Sequence, residues 1–450
     1  MRKLTNFPYQ NVLVLGLAKS GSAAAKLLLQ NGVHVRVNDY EANEEATLIM
    51  KLKNKGADVV VGSHPLSVLD GIDVIVKNPG IPYDNILIVE AEKRNIPVIT
   101  EIELAGLLAN DNEIIGITGS NGKTTTSTLI AKMLAMGNKK VQLAGNIGVV
   151  ATDIAEQLGE NEKLVLELSS FQLLGIQSFR PHVAVLLNLF DAHLDYHGSI
   201  ANYIEAKTNV FKNQTESDFL IYNADDARVH EVVKQAKSIL VPFSVSKKHL
   251  SGGWIQNNAI YFKDEEIMSL HDIVLVGEHN LENILAAVSV AIISGATKED
   301  IQSVLKTFSG VKHRLQFVAN IDNRLFYNDS KATNILATQK ALQSFKQPTI
   351  LLAGGLDRGN SFESLLPFLT NVKAMVVFGE TAEKLKDLAK EANIERVQKV
   401  KNVGEAANTA YQMSKEGDII LLSPACASWD QYKTFEERGD MFIQAVHILA

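Results

Sequence analysis

Residues 114–125, Ile-Ile-Gly116-Ile-Thr-Gly119-Ser120-Asn121-Gly122-Lys123-Thr124-Thr125, read as a buried strand that runs into a glycine loop and then a helix. Such a loop aims backbone N–H groups at phosphate and seats it on the positive end of the helix dipole. Gly119, Ser120, Asn121 and Gly122 form the cradle, Lys123 adds a point charge, the Thr124 hydroxyl suits Mg²⁺, and Thr125 continues the helix. A full-length phosphate loop would have glycine at Ile117, so this is the shorter Gly-x-x-Gly-Lys-Thr form. The chemistry it predicts is binding of a nucleoside triphosphate.

Two later strands end in side chains that ligate hard cations: Leu164-Val-Leu-Glu167, and Val185-Leu-Leu-Asn188 followed by Asp191-Ala-His193-Leu-Asp195. A strand-end Glu or His is more often a solvated cap. In a parallel sheet, however, the C-terminal strand ends share one edge, so Glu167 and His193 join Thr124 as candidate ligands for one or two Mg²⁺. Upstream, Val12-Leu-Val-Leu-Gly16-Leu-Ala18-Lys19-Ser20-Gly21 is a strand, a glycine turn and a helix, with Asp39 ending the next strand. Ala18 stands where a dinucleotide fingerprint needs its second glycine, so the turn predicts a nucleotide ligand other than NAD. Downstream, Asn328-Asp329-Ser330-Lys331, Gly354-Gly-Leu-Asp-Arg358 and Ser423-Pro-Ala-Cys-Ala-Ser428 give a third set of polar strand ends, where Lys331 and Arg358 suit an anionic small molecule. Cys426 has no base in its own motif and reads as structural.

The elements that must position these residues are short β-branched runs alternating with amphipathic helices, the pattern of an α/β protein with parallel sheets. Three domains are expected. A Rossmann-like N-terminal domain over 1–103 has strands at 11–15, 33–37, 59–61, 74–76 and 97–100. A central phosphate-loop domain of ATPase type over 104–311 has strands at 113–118, 164–168, 183–187 and 219–222, and a hairpin at 254–262 turning on Asn257-Asn258. A Rossmann-like C-terminal domain over 312–450 has strands at 325–328, 349–353, 374–378 and 419–422. The chain has 450 residues, 46% hydrophobic and 21% charged, which excludes disorder and fibre, and its net charge of -7 speaks against nucleic acid as a partner. One cysteine forms no internal disulfide, and no apolar run approaches the roughly 18 residues that cross a bilayer. A cytoplasmic protein without membrane contact is expected, and a monomer.

Gly119 to Thr125, Glu167-Leu-Ser-Ser-Phe-Gln172, Asp191-Ala-His193-Leu-Asp195, His313-Arg314, Asn328 to Thr333 and Ser423 to Ser428 together resemble the Mur ligases, over the whole chain. The segment from Ser428 through Phe435 to Gly439 is similar to that of the D-glutamate-adding members. The Asp-Asn-Pro-Arg motif of the diaminopimelate-adding members is absent, and Leu356-Asp-Arg-Gly stands in its region. The resemblance implies that ATP phosphorylates the carboxylate of UDP-N-acetylmuramoyl-L-alanine and that D-glutamate attacks the acyl phosphate. It implies Lys123 on the γ-phosphate, Thr124 and Glu167 on one Mg²⁺, His193 on a second, and Asn280, Arg314 and Asp329 on ATP. It further implies Lys19 and Ser20 near the pyrophosphate, Asp39 and Tyr40 near uracil, and Asn78 and Asn146 along the sugar. Lys331, Thr333, Arg358, Ser428 and Phe435 would hold D-glutamate, although relatives often carry Lys where Arg358 stands. Lys207, in Tyr203-Ile-Glu-Ala-Lys207-Thr, is implied as a carbamylated lysine that ligates metal. The alternatives are a folylpolyglutamate synthase-like ligase, which shares the loop but not the first domain, or a Mur ligase for another amino acid.

Overall fold

The computed structural model describes residues 2–43, 45–275 and 277–449. Its chain divides into two compact units, Met1–Asp272 with Leu281–Val304, and Ile273–Asn280 with Leu305–Ala450.

The first unit holds two sheets. Strands β1 (Asn11–Leu15), β2 (His34–Asp39), β3 (Asp58–Val61), β4 (Val74–Lys77) and β5 (Val98–Ile99) form a parallel sheet in the order β3-β2-β1-β4-β5. Each strand is a β-branched run, and the helix Lys19–Gln30 buries its small and apolar face, Ala24, Ala25, Leu27 and Leu28, against them. Gly21 permits that approach, because a Cβ there would lie 1.9 Å from the Gly16 carbonyl oxygen. The second sheet contains β6 (Glu113–Thr118), β7 (Val141–Gly145), β8 (Lys163–Glu167), β9 (Val183–Leu186), β10 (Phe219–Asn223), β11 (Ile239–Ser244), β12 (Gly253–Gln256), β13 (Ala259–Phe262) and β14 (Glu265–Ser269). Its order is β14-β13-β12-β11-β10-β9-β6-β8-β7, with β12 to β14 antiparallel. One apolar cluster runs from Val12 and Val14 through Ile102, Leu104 and Leu108 to Leu164, Leu166 and Phe179, so the two sheets share a core. The helix Glu101–Leu108 sits in that core, and residue 103 lies inside it.

The second unit contains β15 (Gln316–Ile321), β16 (Arg324–Asn328), β17 (Thr349–Gly354), β18 (Val372–Phe378), β19 (Arg396–Lys399) and β20 (Ile419–Leu422), in the order β15-β16-β20-β17-β18-β19. All pairs except β15 with β16 are parallel.

The expected hairpin turns on Asn257 and Asn258, whose φ values of 48° and 59° are those of a type I′ turn. Five strands are additional to the expectation. Pro242 argues against β11, yet that strand pairs with β10 and β12. β7 ends in Ala-Gly, β14, β15 and β19 are rich in polar residues, and β14, β15, β19 and β7 all lie at sheet edges, so they lack the continuous apolar run that marks a buried strand. Among the described residues no helix is long and apolar enough to cross a membrane.

The shared core contains one costly group. Glu101 is buried, its carboxyl accepts the Thr152 backbone N–H, and burial pushes its pKa up to about 7, with Asp153 adding to the rise. The folded state therefore holds this proton more tightly than the unfolded chain. Stability falls as pH rises from about 4.5 to 7 and is level above, by roughly 3 kcal/mol for a shift of this size. Thermal melts of Glu101→Gln and the wild type should diverge across that window, the variant being the more stable at pH 8. Parallel curves would refute the assignment.

Candidate active site

β6 delivers Gly119 to Gly122 at the C-terminal edge of the second sheet, and the helix Lys123–Met136 leaves from there. Gly122 has φ 85° and caps this helix in the left-handed region, and a Cβ there would lie 2.1 Å from Asn283 Oδ1. Asn188, at the end of β9, fastens the loop: its Oδ1 accepts the Asn121 N–H at 2.8 Å and its main-chain oxygen accepts the Ser120 N–H at 3.0 Å. Ser120 Oγ contacts Tyr203 Oη at 3.0 Å and accepts the Phe190 N–H at 2.9 Å. Lys123 Nζ donates back to the carbonyls of Gly119 at 2.7 Å and Ser120 at 3.2 Å. A cavity of about 580 Å³ opens beside the loop, lined by Asn188, Phe190, Asp191, Asn223, Asp226 and Glu282 among others.

Glu167 ends β8, the neighbour of β6, and is buried. Its Oε1 accepts from Asn146 Nδ2 at 3.0 Å, and its Oε2 is buried without a hydrogen-bond partner. An orphaned carboxylate oxygen beside a phosphate loop is the donor that Mg²⁺ requires, so the residues present fit that ion. Lys207 is buried on the same edge, where its Nζ donates to the Gly119 carbonyl at 2.9 Å and lies 4.8 Å from the Tyr203 ring centroid. Burial above all, with the charge of Lys123 adding, pulls its pKa well below the ordinary value. His193 is exposed at φ 54°, in the left-handed region that few residues other than glycine adopt, and opens the short helix Leu194–His197. Its ring lies 5.0 Å from that of Phe171, which stacks on His197 at 5.4 Å, and His197 Nε2 meets Ser170 Oγ at 2.9 Å. Among the described residues no three His, Cys, Asp or Glu side chains form a metal cluster. A metal here would draw on the loop threonine, Thr124, as well.

On the first sheet, Ser20 and Asn78 meet between β1 and β4, where the strand order reverses, with Asn78 Nδ2 donating to Ser20 Oγ at 3.0 Å. Lys19 is exposed at the start of its helix. The Asp39 carboxylate takes the N–H groups of Leu17, Glu41 and Ala42 at 2.6, 2.9 and 2.8 Å, so it clamps the glycine turn to the end of β2. Tyr40 is exposed and tilts on His64 at 5.6 Å.

In the second unit, Asp329 is buried between the Leu315 N–H at 3.1 Å and the Ser423 hydroxyl at 2.9 Å, and burial pushes its pKa up to about 7. Arg314 follows on a strained turn, flanked by His313 at φ 64° and Leu315 at φ 41°. Asn280 is buried near the start of the helix Glu278–Ile293. Ser428 is buried and its Oγ has no partner. Lys331 Nζ stands 5.7 Å from the Phe435 ring, and Thr333 follows two residues on. Arg358 is exposed and its guanidinium lies 4.9 Å over the ring of Trp429, itself exposed. That differs from the desolvated position expected of a residue answering a carboxylate, because the indole already receives its flat face.

Several residues were missed at the sequence level. Arg438 is wholly buried and donates to Ser330 Oγ and to the carbonyls of Ser330, Gly354 and Cys426, so one guanidinium ties the ends of β16, β17 and the segment after β20. Burial pulls its pKa down to about 10. The only signal was an arginine followed by glycine inside an otherwise acidic helix start. Asn283 lies in ordinary helical sequence, and nothing in its type announced it, whereas Phe171 stood inside the motif of residues 167–172 without a role of its own.

Known protein families match at three places. Residues 10–100 match a Mur ligase MurD-like N-terminal domain, 117–291 a Mur ligase middle domain, and 313–426 a Mur ligase, glutamate ligase domain. The UDP-N-acetylmuramoylalanine--D-glutamate ligase of Oceanobacillus iheyensis is 61% identical over 449 residues, covering 100% of both chains. The enzyme of that name from Bacillus thuringiensis is 55% identical over 450 residues, again covering 100% of both. Among solved structures, MurF ligase from Thermotoga maritima in complex with ADP has a TM-score of 0.57 at 18% identity, covering 100% of this chain and 99% of that one. UDP-N-acetylmuramate-alanine ligase MurC from Thermotoga maritima has a TM-score of 0.57 at 19% identity, covering 98% and 100%. At such identities the two structures speak to the fold alone.

Proposed function

The chain belongs to the Mur ligase family, and from that premise we propose how its own residues carry out the family's chemistry. It is an ATP-dependent ligase that joins D-glutamate to UDP-N-acetylmuramoyl-L-alanine in the synthesis of peptidoglycan precursors. The observation that carries the reading is the phosphate loop of Gly119 to Thr125 beside Glu167, whose free oxygen points to a cation.

The protein contributes mainly position and charge. Loop N–H groups and Lys123 take the phosphates of ATP, with Asn280, Arg314 and Asp329 as further ATP contacts. Mg²⁺ would be held by Thr124, Glu167, His193 and a carbamate on Lys207, and when bound it neutralises phosphate charge. The first sheet takes the UDP-sugar through Lys19, Ser20, Tyr40 and Asn78, with Asp39 shaping the turn against which uracil lies, and Asn146, which follows β7 of the second sheet, lies along the sugar. The substrate carboxylate attacks the γ-phosphorus, ADP leaves, and the amine of D-glutamate displaces phosphate from the acyl phosphate with loss of a proton. Ser428, Lys331, Thr333, Arg358 and Phe435 answer the two carboxylates of D-glutamate. The buried, unpartnered Ser428 hydroxyl supports this placement. The domains are read as 1–103, 104–311 and 312–450. The enzyme acts as a monomer in the cytoplasm, where ATP is made.

The test is ADP release with UDP-N-acetylmuramoyl-L-alanine and, in turn, D-glutamate, L-lysine, L-alanine and diaminopimelate. D-Glutamate alone should support turnover, and preference for another amino acid would overturn the reading. Because Arg358 is exposed and stacked on Trp429, Arg358→Ala should raise the D-glutamate KM about tenfold, equivalent to ~1.4 kcal/mol, and leave the ATP KM unchanged. Unaltered D-glutamate kinetics would remove Arg358 from the site.

A further inference from the structure

Lys77, the last residue of β4, is 1% exposed and among the largest fully buried side chains of the protein. Among the described residues no carboxylate pairs with it. Its Nζ donates instead to the carbonyls of Ile81 at 2.8 Å, Asn78 at 3.2 Å and Pro79 at 3.3 Å, and meets Tyr196 Oη at 3.0 Å. Tyr196 Oη reaches the same loop, at 2.8 Å from the Ile81 carbonyl and 3.1 Å from that of Pro79. Tyr83 covers the ammonium from another side at 4.7 Å, and burial holds the lysine pKa down to about 7. An apolar side chain would fill this space without the penalty of dehydrating a charge. The lysine therefore serves geometry more than stability.

The geometry concerns two segments of the reaction. The loop after Lys77 carries Asn78, which bonds Ser20 where the first sheet's strand order reverses. Tyr196 stands three residues after His193, and its ring meets Phe171 edge-on at 4.4 Å, next to His193 and His197. We propose that Lys77 and Tyr196 form a latch between the sheets of the first unit, fixing the Asn78–Ile81 loop against the His193 segment so that a UDP-sugar held by the first sheet presents its carboxylate at the phosphate loop. Lys77 is in this sense a positioning residue. The inference rests on the proposed placement of the UDP-sugar.

Lys77→Met keeps the length of the side chain and removes the three donors, and Tyr196→Phe removes one hydroxyl. Both should lower kcat/KM for UDP-N-acetylmuramoyl-L-alanine about tenfold or more while the ATP and D-glutamate KM values stay within twofold. The double variant should lose no more than the worse single one, because the two groups act as one unit. In the same proteins, amide hydrogen exchange should rise at 78–84 and 193–198 and stay unchanged in the helix Lys123–Met136. Unchanged exchange at both segments would overturn the latch, whatever the substrate. Raised exchange with kinetics unchanged, or with all three substrates impaired alike, would overturn its positioning role. If Lys77→Met does not fold, Tyr196→Phe decides by the same criteria. A wild type that does not turn over this UDP-sugar would refute the proposed function separately, and the exchange data would still judge the latch.

Discussion

Lys123→Ala should cut ligase turnover by about a hundred- to a thousandfold, the typical cost of removing one preorganised charge from a transferring group. Phosphoryl transfer leaves little covalent work to the protein, so a cation at the γ-phosphate counts mainly through electrostatics in the transition state. The Lys123 ammonium lies on the carbonyls of Gly119 and Ser120, the rim of its own loop. The alanine variant lacks this charge, so the loss should appear chiefly in kcat if the charge acts on the transition state, and in the ATP KM if it only aids binding. Wild-type ADP release would show that the glycine loop is not the phosphate site.

Lys207→Ala should be nearly inactive as well, and short carboxylates such as acetate or formate should restore part of the rate. A protonated lysine would repel both Mg²⁺ and the Lys123 side chain. A carbamate instead offers negative oxygen ligands. Its formation joins a neutral amine to CO₂ and releases a proton, and burial together with Lys123 favours that neutral amine. Lys207→Arg separates the two roles, since it keeps a cation that cannot be carbamylated and should be as inactive as the alanine form. Full activity of either variant would end the assignment. Absence of carboxylate rescue in an inactive alanine variant would count against the oxygen-ligand role.

The phosphate loop was legible because its function needs fixed residue types at fixed spacing. The parallel-sheet rule that gathers strand ends foresaw the shared edge on which Glu167 and the segment after β9 stand, since β8 and β9 do flank β6. The fold class followed from runs such as 12–15 and 349–353, which are wholly buried and therefore continuously apolar. Lys77 could not be read in this way. A lone lysine at a strand end looks solvated, and its partner Tyr196 lies 119 positions away. Arg438 is a similar case, since its acceptors lie up to 108 positions away and include main-chain carbonyls that carry no residue signature. Asp39 was expected to face a ligand. Its carboxylate is instead occupied by three backbone N–H groups, a local turn preference of aspartate that competes with any role in recognition.

Arg438 and Arg358 divide one task in the second unit, and the division bears on how such an enzyme can change its substrate. The strand ends of this unit hang on the Arg438 guanidinium, which touches no solvent and bonds carbonyls of three connections at once. The guanidinium of Arg358, the charge proposed to meet the amino acid, sits outside that frame, on a surface indole. On the proposed placement, a substitution at Arg358 or Trp429 should alter selectivity without disturbing how the connections are spaced, because both side chains are exposed and stack on each other. A substitution at Arg438 should loosen all three connections together. On that placement selectivity is the tunable property, and the spacing of the connections is the fixed one.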